Sequence, residues 1–441
     1  MLSARRYLPA FAFIVALATV VVSGIAPVSA DAGDFAGGDG SAEDPYQITD
    51  WYQLDAVRDH LTDHFILMNN LDSSTAGYDE LAGPEANEGL GWEPIGVSSA
   101  RFSGTFDGKG FEVKGLFINR DGQDFVGLFG SVDVEGCIEL VEVVEAQVTG
   151  NLYVGALVGY IDGTVTGGSV VGASTSVVGV DHVGGLVGVN LGTVDLCHAI
   201  GAVNGEDWVG GLVAWNEGLL SRSWSSGDVV GNHCVGGLVG LNDSGTVSDC
   251  YATGDATALT DWYVGGLVGY STNGALENCY STGVPTGVGA VGGLVGHHDG
   301  AVSDCFWDED TSGMPVSAGG IGKTTVEMMD SATFSAWDIV SLVPGDKCHH
   351  STWNIRIDGG GYPFLSWYVA RFDLKTGWNM VSVPAGLPDG DDTPADVFGS
   401  EIEAIYCWDP LGKCYVVPSV LEPEIGYWVA VMQDKVITYV A

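Results

Sequence analysis

One recurring hexapeptide constrains this chain more than any other feature. Val-Gly-Gly-Leu-Val-Gly stands at 183–188, 235–240, 264–269 and 291–296, with near copies at 209–214 and 154–159 and a shortened one at 126–130. Its central leucines, Leu128, Leu157, Leu186, Leu212, Leu238, Leu267 and Leu294, are spaced by 29, 29, 26, 26, 29 and 27 residues. Other columns keep step with them. A glycine follows each leucine from Leu157 onward (Gly163, Gly192, Gly218, Gly245, Gly274, Gly300), and an aliphatic residue stands two positions later. Three further on comes a small or sulfur residue (Gly168, Cys197, Ser223, Cys250, Cys279, Cys305), followed directly by Ser169, His198, Trp224, Tyr251, Tyr280 and Phe306.

Such a period has to be read as a repeat architecture before anything else. Each unit offers about three short β-prone runs punctuated by glycine, and no helical period. One coil cannot bury its apolar face alone, whereas stacked coils share a continuous core. The expectation is an all-β fold: a parallel β-solenoid (β-helix) of glycine-rich repeats of about 27 residues, three-sided, with coils ~4.8 Å apart. A β-propeller would need ~40 residues per blade. The glycines are expected to allow close backbone approach and to take up turn conformations closed to other residues.

The hexapeptides, with Cys250-Tyr251-Ala252-Thr253-Gly254 and Cys279-Tyr280-Ser281-Thr282-Gly283, resemble the GLUG-repeat family of secreted and cell-surface proteins. The resemblance extends to Ser41–Ile48, Phe65-Ile66-Leu67, Trp92–Gly96 and Phe102–Gly108 on one side, and to Cys305–Asp308, Lys323–Met328 and Tyr362–Leu365 on the other. It covers roughly residues 35 to 368. That family includes adhesin-like proteins and flanking regions of some IgA-cleaving metallopeptidases, so the resemblance implies a surface location without implying an activity.

The organisation expected is a signal peptide at 1–30, an N-terminal cap with the first coils at 31–125, the repeat solenoid at 126–320, a C-terminal cap segment at 321–370 and a small β-sandwich-like module at 371–441. Arg5 and Arg6 precede the apolar run Leu8 to Val22, and Val28-Ser29-Ala30 supplies a small-residue cleavage site. Beyond that run no apolar span is long enough to cross a membrane. Asp50 is placed to cap a short helix carrying Trp51, Leu54, Val57 and Leu61 on one face, covering the open end of the solenoid, and a second short helix is expected within 324–330.

Charge restricts the partners. Fifty-seven acidic residues against 15 basic ones give a net charge of −42, which repels nucleic acid and anionic lipid. Between Asp121 and Gly322 the sole Lys or Arg is Arg222. An extracellular glycan or protein is the partner expected of a surface repeat protein.

Catalytic signatures are sparse. His60-Leu61-Thr62-Asp63-His64 lacks the glutamate of a metalloprotease helix, and its second histidine falls where helix gives way to strand. His297-His298 replaces the Asn of matching turns (Asn190, Asn216, Asn242) and reads as solvated loop; Cys348-His349-His350 is a second histidine cluster. No nucleophile elbow or phosphate loop occurs. Asp228 with Asp255, and Asp249 with Asp304 across Asn278, align on neighbouring coils. A bridging calcium is the one cofactor these acids suggest, beside the plainer reading of solvated turn carboxylates. Cys250, Cys279 and Cys305 are expected as an inward ladder of free thiols. Cys407 and Cys414 flank a turn and are placed to bridge it as a disulfide. A surface binding or spacer protein without catalysis is the first reading; a secreted carbohydrate-active enzyme using paired carboxylates is the alternative.

Overall fold

The computed structural model describes residues 35–342 except 261, residues 351–356 and 361–365, and then residues 376, 417 and 418 with six strands between Val369 and Val440. The signal segment expected at 1–30 and the Cys348-His349-His350 cluster lie outside the described residues.

From Tyr46 to Lys323 the strands pair in parallel, each with its counterpart one coil away. They form five narrow sheets. Sheet 1 has ten strands, from Tyr46–Ile48 to Ala301–Ser303, and sheet 2 has nine, from Glu112–Lys114 to Ile321–Lys323. Sheet 3 has seven, from Phe117–Asn119 to Pro285–Thr286; sheet 4 has six, from Leu152–Val154 to Ala290–Gly292; sheet 5 has seven, from Phe129–Val132 to Val295–His298. The chain runs through sheets 5, 1, 2, 3 and 4 before returning to sheet 5, so the strands of sheet 5 mark seven coils. The parallel β-solenoid expected from the period is therefore the fold.

Its cross-section differs from the three-sided expectation, because each coil is broken into five strands and not three. Residues in the left-handed backbone region supply the extra corners. Leu140, Gly167, Leu196, Arg222, Asp249, Asn278 and Asp304 hold φ between 43° and 64° at the corner between sheets 1 and 2. Tyr153, His182, Trp208 and Cys234 do the same within sheet 4. This conformation costs a residue with a Cβ about 1–2 kcal/mol, which the stacked hydrogen bonds on either side offset.

The glycines of the hexapeptides and of the turns that follow serve close approach alone, while the turn-conformation role falls to Gly167 and Gly172, at φ 64° and 119°. None in the hexapeptides or the following turns has a positive φ. They are small because the next coil is close: a Cβ on Gly218 would collide with the carbonyl oxygen of Gly192, and one on Gly192 with that of Gly163. Behind them all seven column leucines are fully buried in one core running from Tyr46 to Trp307. Each contributes ~1.5–3 kcal/mol by burial.

A polar ladder runs through the same wall. Asn190, Asn216 and Asn242 are fully buried. Asn190 Nδ2 donates to Asn216 Oδ1 at 2.7 Å, and Asn216 Nδ2 donates to Asn242 Oδ1 at 2.8 Å. Asn190 Oδ1 is left without a partner because Ile161 precedes it in the column.

At the N-terminal end the helix Trp51–Ala56 is capped by Asp50, whose side chain accepts from Gln53 N. Trp51, Leu54 and Val57 join the solenoid core, while Leu61 is partly buried against it. At the other end, residues 314–320 cover the last coil through Ser317 Oγ, which receives Leu294 N and Val295 N. The expected second helix is Thr325–Met328, closed by a capping box between Thr324 and Glu327. The chain after it does not sit over the end of the solenoid. It folds back along the outside of sheet 2, where Met328, Phe334, Trp337, Trp353 and Ile355 cluster with Tyr280 and Phe306. From Val369 the pairing becomes antiparallel: Gly377–Ser382, Gly426–Val431, Ala404–Asp409 and Cys414–Val416 form one sheet, and Val369–Leu374 pairs with Lys435–Val440.

Candidate functional site

Two columns of outward side chains meet along the junction of sheets 4 and 5. In sheet 4 the column four residues before each leucine reads Tyr153, His182, Trp208, Cys234, Tyr263 and Ala290, preceded by Phe125 at the shortened first hexapeptide. In sheet 5 the column three residues after each leucine reads Ser131, Tyr160, Val189, Trp215, Leu241, Tyr270 and His297. Side chains on two adjoining sheets that touch on their outer faces define a crease.

The contacts are aromatic along most of its length. Phe125 and Tyr153 lie 4.9 Å apart, and Tyr153 and His182 4.8 Å. Trp208 lies 4.6 Å from His182, and Trp215 stacks on the same imidazole at 5.0 Å and 14°. After an interruption at Cys234 and Leu241, Tyr263, Tyr270 and His297 form a second group with centroids 4.9–5.1 Å apart. Phe125, Tyr153, Tyr160, Trp208, Trp215, Tyr263 and Tyr270 are all partly exposed.

The polar atoms of the crease are poorly matched. His182 is 5% exposed and neither ring nitrogen makes a hydrogen bond. Asp181 Oδ1 lies 3.2 Å from His182 Nδ1, but outside hydrogen-bonding angles, and has no other partner. Trp215 Nε1 is buried without an acceptor. A buried polar group in this state costs about 1–3 kcal/mol, so each such group needs an explanation. Carboxylates rim the crease. Asp181 and Asp207 stand on neighbouring strands, the latter paired with His233, and Arg101 pairs with Asp162 while lying 4.7 Å over the Tyr160 ring.

A second aromatic row, on sheet 2, is used differently. His198 and Trp224 stack at 4.7 Å and 7°, Trp224 and Tyr251 at 5.6 Å and 4°, and Tyr251 and Tyr280 at 5.0 Å and 4°. The returning segment closes over the later rings with matched polar atoms. Trp353 Nε1 donates to Asp249 Oδ1 at 2.9 Å, Trp337 Nε1 to Asp304 O at 2.8 Å, and Tyr280 Oη to Pro363 O at 2.8 Å. Burial lowers the pKa of His198 to about 4, so its ring is neutral within the stack.

The residues singled out from the sequence fall elsewhere. Asp228 and Asp255 are exposed neighbours; Asp228 Oδ1 accepts from Asp255 N at 3.3 Å, and Asp255 Oδ1 accepts from Val284 N at 2.8 Å. Asp249, Asn278 and Asp304 share the left-handed corner, a conformation that Asp and Asn tolerate better than most residues. Asp249 Oδ1 also receives Asn278 Nδ2 at 3.2 Å. Both acid columns thus have backbone or side-chain work within the coil. Among the described residues no three His, Cys, Asp or Glu side chains are gathered to hold a metal ion. Cys250, Cys279 and Cys305 are free and buried, and burial pushes the thiols of Cys279 and Cys305 well up. Ala404–Asp409 and Cys414–Val416 form a hairpin in which Cys407 pairs with Val416 and Asp409 with Cys414; the two cysteine side chains lie outside the described residues.

His60 Nδ1 meets Asp63 Oδ2 at 3.0 Å, while His64 opens a strand, so the two histidines serve different elements. The reading of His297-His298 as solvated loop is corrected. Both lie on the strand Val295–His298, His297 within the aromatic crease and His298 in register with Ser271. The crease itself was missed. Its signal is present as the two columns flanking each hexapeptide, four residues before the leucine and three after.

Comparison with known proteins agrees with the repeat. The GLUG motif matches residues 231–257 and 260–286. A provisionally named Gly-rich membrane protein of Evansella cellulosilytica is 36% identical over 146 residues, covering 32% of this chain and 16% of its own length. Halomucin of Haloquadratum walsbyi is 36% identical over 172 residues, covering 38% of this chain and 2% of its own. The chain therefore spans less than a fifth of either relative. A solved Bacteroides ovatus structure, provisionally named an immunoglobulin A1 protease, aligns over 75% of this chain and 95% of its own, with a TM-score of 0.47 and 20% identity. On its repeats and their matches, the chain carries GLUG motifs and is similar in its repeat region to these Gly-rich and halomucin-type proteins.

Proposed function

We propose that this is a cell-surface or secreted repeat protein that binds an extracellular glycan along the aromatic crease, with the solenoid acting as a spacer and without catalysis. The observation that carries the reading is the crease: partly exposed rings in two adjoining columns, at Phe125, at Tyr153 and Tyr160, at Trp208 and Trp215 and at Tyr263 and Tyr270, forming a linear series of platforms. Aromatic side chains present apolar faces that suit the CH faces of pyranose rings, and their regular stacking suits a polymer better than a single small molecule. The cationic start and apolar run of the N-terminal segment, with the acidity of the whole, support export. The carboxylates aligned on successive coils serve backbone amides and corners, which favours binding over paired-carboxylate hydrolysis.

The test is a glycan array probed with the purified protein and with a Trp215→Ala/Tyr270→Ala variant. The reading expects signal on extended glycans that the variant loses. Equal signal from both proteins, or none from either, would refute the crease as the binding face.

A further inference from the structure

We infer that the crease selects a glycan carrying protonated amines, an amino-sugar polymer in its free-amine form; this rests on the glycan-binding reading above and narrows it. Three observations point to a cation. First, the crease already holds one in miniature: Arg101 lies over the Tyr160 ring at 4.7 Å while pairing with Asp162. A cation on an aromatic face beside a carboxylate is the arrangement that an ammonium would reproduce.

Second, the same elements recur two coils along without the cation. Trp208 and Trp215 share this stretch with Asp181 and Asp207; the imidazole of His233 meets Asp207, but no Lys or Arg from this stretch is available to either carboxylate. The sole Lys or Arg between Asp121 and Gly322, Arg222, is committed to Asp195 at the corner between sheets 1 and 2. Third, the unmatched polar atoms gather here: Asp181 Oδ1 as an acceptor, Trp215 Nε1–H as a donor, and a His182 ring that offers one of each when neutral. An amino sugar supplies the complement, with ammonium N–H for the carboxylate and hydroxyls for the indole and imidazole. The unmatched Asp181 Oδ1, Trp215 Nε1 and His182 nitrogens are all buried, His182 being enclosed by Tyr153, Trp208 and Trp215, so contact with them requires an indole to turn, whereas the exposed parts of the Asp181 and Asp207 carboxylates are reachable directly.

A polyanionic glycan is disfavoured by the net charge of −42, and a neutral one brings hydroxyl donors to the Asp181 carboxylate but no compensating charge. Because the protein as a whole attracts any polycation, the test must separate the crease from diffuse attraction. Titration calorimetry of the full chain would use glucosamine hexamer, N-acetylglucosamine hexamer and cellohexaose. It would compare wild type, Asp181→Asn/Asp207→Asn and, as an equal charge change elsewhere, Asp228→Asn/Asp255→Asn.

The expected result is that glucosamine hexamer binds wild type and the sheet 3 control at least ~10-fold more tightly than the other two oligomers, a preference lost in the crease pair. Equal losses in both double variants would mean diffuse attraction and overturn the inference. Equal affinity of the three oligomers for wild type would also overturn it, leaving glycan binding in place. Binding of none would overturn both.

Discussion

The two aromatic rows of this solenoid are built alike and finished differently. Both place a large ring on the outside of successive coils, one on sheet 2 and the other at the junction of sheets 4 and 5. On sheet 2 the chain returns to cover its own rings, and the polar edges of Trp337, Trp353 and Tyr280 all find acceptors. In the crease most rings stay partly exposed, and His182, Asp181 and Trp215 keep unmatched atoms. A covered row with satisfied edges is a packing device. An open row with unsatisfied edges lowers stability slightly, and a ligand is the natural compensation.

The largest expected effect strikes both rows together. Gly218→Ala puts a methyl group into the carbonyl of Gly192, against the backbone of the preceding coil and with no flexible side chain to give way. Overpacking of this kind costs ~1–3 kcal/mol in a compliant core and more here, since one coil cannot move without its neighbours. Guanidinium unfolding should show a loss above ~3 kcal/mol with both rows disrupted; a near-normal midpoint would contradict the close-stacked coils.

The rows separate under Trp353→Ala. Its indole is fully buried and bonded to Asp249, so truncation should cost ~3–5 kcal/mol in the sheet 2 cover. Limited proteolysis should then cut the returning segment while the solenoid persists. A stability unchanged by this substitution would mean that the sheet 2 row is not closed by the segment.

A smaller effect of opposite sign is expected in the crease. His182→Phe replaces an imidazole without hydrogen bonds by a ring of similar shape, and should raise the melting midpoint by the equivalent of ~1 kcal/mol. Destabilisation would show that His182 is already satisfied, and the contrast between the rows would weaken. The smallest effect concerns calcium. With Asp228 and Asp255 bound to backbone amides and Asp249 to Trp353, millimolar calcium should shift the melting midpoint no more than ionic-strength-matched sodium chloride. A specific calcium shift would restore those columns as cation sites.

The period made much of this legible. Leucines at 26 to 29 residue spacing, with glycines in step, determine parallel stacking because no other arrangement buries every leucine at once. The number of strands per coil was not legible. The breaks between sheets 1 and 2 lie at Leu140, Leu196 and Arg222, residue types with no preference for the left-handed region, which adopt it because the neighbouring coils hold them there. Glycine at the turns suggested a conformational role, whereas the structure shows an interatomic distance across coils. The crease stayed hidden because its two columns are separated by the buried hexapeptide, and only the bend between sheets 4 and 5 brings Trp208 against Trp215.

The central claim is that the open row binds and the covered row only supports. Its most direct test is affinity for glucosamine hexamer measured beside thermal stability in two variants, Trp215→Ala and Trp353→Ala. The account predicts crossed results: Trp215→Ala loses at least ~10-fold in affinity with a change in stability under ~1 kcal/mol, and Trp353→Ala loses stability while its folded fraction binds as wild type does. Affinity that survives Trp215→Ala, or that falls equally in both variants, would contradict it.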